Sequence, residues 1–152
     1  MISKKRTIRP VSLRRVVEIC NLLLKNAALD VETVSLNLST TATHAKEILL
    51  EVEKMHLMDY KDGFWRANGN TREFLNYFEK EDWEKINQYF FENYQFYKEF
   101  IVILQAHIKD EKGLTIEEIN KESLERSLHL NKTAIEILAD WCERLGIAQR
   151  HL

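Results

Sequence analysis

The sequence predicts a mainly α protein with short β hairpins, organised as two similar helical modules joined by aromatic-rich helices. Three observations carry this expectation. The 152 residues include one Pro and four Gly, too few turn-formers for a many-stranded β architecture. Apolar residues recur at helical spacing along most of the chain. One alternating, aromatic-rich stretch, "LMDYKDGFWRA", holds Asp62 and Gly63 at its middle, a pair that favours a two-residue hairpin turn. With 45% hydrophobic and 30% charged residues, the chain suits one domain of ordinary size or two small units sharing a core.

Leu13, Val16, Val17, Cys20, Leu23 and Leu24 form one apolar helical stripe and predict a first helix over about residues 12–26. Asp30 is placed to cap a short second helix, with Val31, Val34 and Leu38 turned inward. Thr41 caps a third, whose buried face reads Ala45, Ile48, Leu49, Val52 and Met55, and the hairpin follows. Asn68 caps the next helix. Further on, Phe100, Ile101, Ile103, Leu104 and Ile108 give a long apolar helix. Thr115 and Glu118 make a capping box at the start of "TIEEINKESLERS", and Asn131 caps a last helix. In that last helix Ile135, Leu138, Cys142 and Leu145 fall under Ala45, Ile48, Val52 and Met55 at a constant offset of 90, a structural rather than a sequence repeat. "IAQRHL" reads as a strand with no returning partner, so either the sequence is a piece of a longer protein or the strand pairs elsewhere. The expected division is residues 1–68 for the first module, 69–94 for the connector and 95–152 for the second module.

Of 15 Phe, Trp and Tyr residues, only Trp141 falls outside residues 60–100. Phe74, Tyr77, Phe78, Tyr89, Phe90, Tyr94, Phe96, Tyr97 and Phe100 are too many for solvated linker helices. They either cement the modules together or form a dimer interface. The first is preferred, because a small two-module chain needs that core.

Three helices and a hairpin in this order, with a tight turn between the second and third helices, resemble the winged helix-turn-helix family. In that family the third helix usually lies in the DNA major groove and the wing touches the backbone. The stretch after the hairpin, "WRANGNTREFL", is similar to a pattern common behind such wings at Arg66, Phe74 and Leu75. It departs at Asn68 and Thr71, and Asn68 keeps the capping role. The tandem arrangement resembles that of prokaryotic, particularly archaeal, regulators and of accessory domains attached to ATPases.

The net charge of −2 hides an asymmetry. Residues 1–72 hold 12 Lys/Arg against 8 Asp/Glu, net +4, and residues 73–152 hold 10 against 16, net −6. Lys4, Lys5, Arg6 and Arg9 form a basic arm continued by Arg14 and Arg15 on the first helix, the competing reading being a solvated tail. Thr41, Thr43, His44 and Lys46 stand at the start of the third helix, and Lys61 and Arg66 on the hairpin, with Arg72 just beyond. These are the candidate DNA contacts. The outward face of the third helix reads Thr43, Lys46, Glu47, Leu50, Glu51 and Lys54, a mediocre base reader without Arg, Asn or Gln and with two carboxylates. The second module, rich in Glu117, Glu118, Glu122, Glu125, Glu136, Asp140 and Glu143, is unsuited to DNA. A protein partner, another domain or a second subunit is expected there.

No catalytic or metal pattern is present in the sequence. The five histidines show no ligand spacing, and there is no phosphate loop and no nucleophile elbow. Cys20 and Cys142 read as isolated buried thiols. Neither a run of ~18 apolar residues nor an apolar leader occurs, so a cytoplasmic protein without membrane contact, cofactor or metal is expected. The favoured function is a non-enzymatic, transcription-regulator-like protein that binds duplex DNA through its first module and assembles through its second. The alternative is a protein-interaction scaffold or accessory domain of a larger complex, and a third reading is a small-molecule sensor using the aromatic middle.

Overall fold

A computed structural model of the chain describes residues 6–7, 11–107, 113–126 and 128–148. Its elements are β1 (Arg6–Thr7), α1 (Leu13–Lys25), α2 (Val31–Asn37), α3 (Ala42–Lys54), β2 (Met58–Lys61), β3 (Phe64–Ala67), α4 (Gly69–Glu79), α5 (Trp83–Asn93), α6 (Gln95–Ala106), α7 (Ile116–Glu125), β4 (Leu128–His129) and α8 (Lys132–Arg144). The molecule is mainly helical, as the composition implies.

Most helices begin on a side chain that satisfies an otherwise orphaned backbone amide. Ser12 accepts from Arg15 N at 3.2 Å, Asp30 from Thr33 N at 2.8 Å, Thr41 from His44 N at 3.1 Å and Asn131 from Ala134 N at 2.8 Å. Asn68 with Thr71, and Thr115 with Glu118, form reciprocal capping boxes.

The hairpin pairs Met58 with Ala67, Asp59 with Arg66, Tyr60 with Trp65 and Lys61 with Phe64. Asp62 (φ 53°) and Gly63 (φ 85°) both occupy left-handed backbone, the conformation that a two-residue type I′ turn demands. The loop between α1 and α2 adds a third, one-residue strand: Leu29 and Trp65 exchange backbone hydrogen bonds of 2.9 and 2.8 Å.

One continuous hydrophobic core runs from Val11 to Leu145. The predicted apolar faces of α1 and α3 are inside, with Val17 and Leu24 half-buried at the edge. Trp141 joins α8 to the segment that leads into α1. Its ring lies 4.6 Å from Phe90, 5.8 Å from Tyr97 and 6.1 Å from Tyr94, and its Nε1–H donates to Val11 O at 3.1 Å. The aromatic connector therefore packs within this chain, and Trp141, the single ring the sequence sets apart, is at its centre.

The expected C-terminal strand falls mostly on residues outside those described. Ile147 and Ala148 lie outside any strand, Ile147 being 42% exposed, and residues 149–152 are outside those described. Among the described residues, the strand that pairs in this half is β4, which runs parallel to β1 with Arg6 opposite Leu128 and Thr7 opposite His129. No hydrophobic alternation marks so short a strand in the sequence. Ile108 also lies outside the described residues.

Replacing Trp141 by Ala should lower the unfolding free energy by about 3–5 kcal/mol in urea titration, and a loss near zero would contradict its bridging role. Burial pushes the Cys20 and Cys142 thiols from an ordinary 9.0 up to about 12. The unfolded chain then releases these protons first, so the thiols' contribution is intact below about pH 9 and is lost as pH rises towards 12. Stability should fall by at most ~1.4 kcal/mol per pH unit per thiol across that window, and Cys20→Ala should flatten the slope.

Candidate nucleic-acid interface

A helix shows the same face at every third or fourth residue, and on α3 the exposed residues Thr43, Lys46, Leu50 and Lys54 follow that rule. Their opposite face is fully committed to the core through Ala45, Ile48, Leu49 and Val52. Thr41 is spent on the helix cap. His44 is exposed, with Nδ1 3.8 Å from Glu47 Oε2. Glu51, expected on the outward face, is only 3% exposed. Its Oε2 accepts from the Tyr94 hydroxyl at 2.7 Å and its Oε1 from Lys54 Nζ at 2.9 Å. The exposed stripe thus holds one fewer carboxylate than its sequence suggests, because position 51, three after Ile48 and four before Met55, sits on the shoulder of the buried face.

The same connector helices grip the end of α3. Tyr89 OH donates to Met55 O at 2.7 Å, Asn70 Nδ2 to His56 O at 3.0 Å and Asn68 Nδ2 to the same oxygen at 3.2 Å, while Thr71 Oγ1 donates to Leu57 O. His56 itself takes φ 60°, ending the helix in left-handed backbone. Every carbonyl from Met55 to Leu57 is held by a connector side chain, so α3 is fixed before any partner arrives. Burial raises the Tyr89 and Tyr94 hydroxyls far above the usual phenol range, which keeps both as neutral donors.

Strand alternation places Asp59, Lys61, Phe64 and Arg66 on one face of the hairpin, opposite the face of Met58 and Trp65 that meets the core. Phe64 is 42% exposed there, next to Lys61. Arg72 is exposed on α4. Lys46, Lys61, Arg66 and Arg72 make no ion pair among the described residues.

The remaining candidates are placed differently. Arg14 and Arg15 both turn to Glu18, at 3.5 and 3.0 Å, so a single carboxylate is shared between two cations. Arg6 stands in β1, paired with β4 next to α7, so this part of the arm belongs to the acidic half of the fold rather than to α3. Lys4, Lys5 and Arg9 lie outside the described residues. On α7, Glu117, Glu118 and Glu125 are exposed, and Glu122 meets His107 at the end of α6.

A groove of about 410 Å³ opens between the end of α3 and the α5–α6 junction, lined by Lys54, His56, Glu92, Asn93, Tyr94, Gln95 and Phe96. Lys54 Nζ stands 5.5 Å from the centre of the Phe96 ring, so its charge is already engaged there. Among the described residues no group of three His, Cys, Asp or Glu side chains converges as a metal site would, and no helix is long and apolar enough to cross a membrane.

No family model matches the chain, and no curated protein and no solved structure matches it.

Changing Tyr94 to Phe removes one of the two donors to the buried Glu51 carboxylate and should destabilise the fold by about 1–3 kcal/mol. Amide hydrogen exchange along α3 should quicken in that variant. Unchanged exchange would mean that the contact does not hold the helix.

Proposed function

We propose that the protein is a non-enzymatic DNA-binding protein with a winged helix-turn-helix first module, in which α3 enters the major groove and the β2–β3 hairpin meets phosphates. The element order α1, α2, α3, β2, β3, with Leu29 completing a small sheet on Trp65, supports that architecture. The observation that carries the reading is the exposed stripe of α3, cleared of Glu51 and packed beside a hairpin whose outer face presents Lys61 and Arg66. The second half, with Glu117, Glu118, Glu125, Glu136, Asp140 and Glu143 exposed, would repel a phosphate backbone and serves assembly.

A protein-docking scaffold or accessory domain is the second reading. Leu36 favours it, standing 81% exposed on α2, as do Ile116 and Leu124 at 37% and 46% on acidic α7.

Salt dependence separates the two. If Lys46, Lys61, Arg66 and Arg72 all meet phosphates, log K should fall with log salt at a slope of about −3.6, each contact contributing about −0.9. The double variant Lys61→Ala, Arg66→Ala should flatten that slope by about 1.8. Anisotropy titrations of labelled random duplex at several salt concentrations measure both. Absence of binding even at low salt would remove the DNA reading and leave docking.

A further inference from the structure

The chemistry of the α3 stripe is narrow. Between its capping threonine and Lys54 it exposes Ala42, Thr43, His44, Lys46 and Leu50. None of these is an Arg, Asn or Gln able to take guanine or adenine with two hydrogen bonds. Two half-buried carboxylates flank the stripe, Glu47, which faces His44 at 3.8 Å, and Glu53, three residues beyond Leu50. Leu50 is 41% exposed while its neighbours Leu49 and Val52 are wholly buried, so the core makes little use of it. An apolar side chain and a threonine methyl on a groove-facing stripe have one complementary base feature available, the C5-methyl group of thymine.

We propose that α3 discriminates bases through thymine methyl groups, contacted by the Thr43 methyl and the Leu50 side chain. Seven residues separate the two, a rise of about 10.5 Å along the helix. The preferred site therefore carries two separate thymine methyls along the groove, with Lys46 between the two contacts supplying charge but no bidentate reading. This rests on the proposed DNA binding and adds its base preference.

The test uses the full chain and two random-sequence duplex pools of identical design, one synthesised with deoxythymidine and one with deoxyuridine, which lacks only the methyl. Binding to the thymidine pool should be tighter by about fourfold for each methyl buried. Thr43→Ser, which keeps the hydroxyl and removes the methyl, and Leu50→Ala should each shrink that preference while leaving the salt slope unchanged. Both positions are exposed, so neither variant disturbs the core. Equal, salt-dependent affinity for the two pools would overturn methyl reading and leave DNA binding standing. Failure to bind either pool at low salt would overturn DNA binding and methyl reading together.

Discussion

A carboxylate taken out of water must be paired, and Glu51 is paired by Tyr94 from the connector and Lys54 from its own helix. Much of the rest of the structure follows from that requirement. The Tyr94 bond to Glu51 sets the start of α6 beside the last turn of α3, and from α5 Tyr89 reaches Met55 O at the same end. Asn68, Asn70 and Thr71 complete the grip from the start of α4. A helix held along one flank and at its end keeps its outer stripe in a single orientation. That orientation is the precondition for a surface that recognises anything by shape.

The grip also explains why the aromatic residues are concentrated where they are. Hydroxyl-bearing rings serve twice, filling volume and supplying the donors that the end of α3 needs, and Tyr89 and Tyr94 both act in this way. Phe74 and Phe90 fill the space between, their centroids 5.5 Å apart in an edge-to-face arrangement. Trp141 then carries the packing across to α8, so the two halves of the chain share a core rather than meeting at a wet interface.

Much of this was legible in the sequence because it is local. Capping residues, the helical stripes and the Asp62-Gly63 turn depend on neighbours a few positions away, and the caps, the turn and most of the stripes appear where the pattern puts them, with Val31 and Leu38 only half-buried. The inward turn of Glu51 was not legible, since a charged residue on the shoulder of an apolar face is decided by whether a distant tyrosine reaches it. Pairing of β1 with β4 was hidden for a similar reason. Two residues carry no alternation, and their partner lies at the other end of the chain. For the candidate surface, Lys46, Lys61 and Arg66 are exposed as their positions suggested. Where the arm is described, Arg6 pairs with β4, which basic composition does not reveal, because composition says nothing about which backbone a strand will join.

Val11 and Trp141, whose hydrogen bond ties the start of the chain to its last described helix, are 130 residues apart. Contacts of such separation close the largest loop available and come late in folding. During synthesis at about 5–20 residues per second, the segment carrying β1 and Val11 waits roughly 7–26 s for α8 to be made. Within that interval α1, α2, α3 and the hairpin can form once they are made, while β1 waits for β4 and the aromatic helices wait for Trp141. Until then Phe90, Tyr94 and Tyr97 lack the ring they pack against, so the order of synthesis leaves the centre of the core as the last part to close.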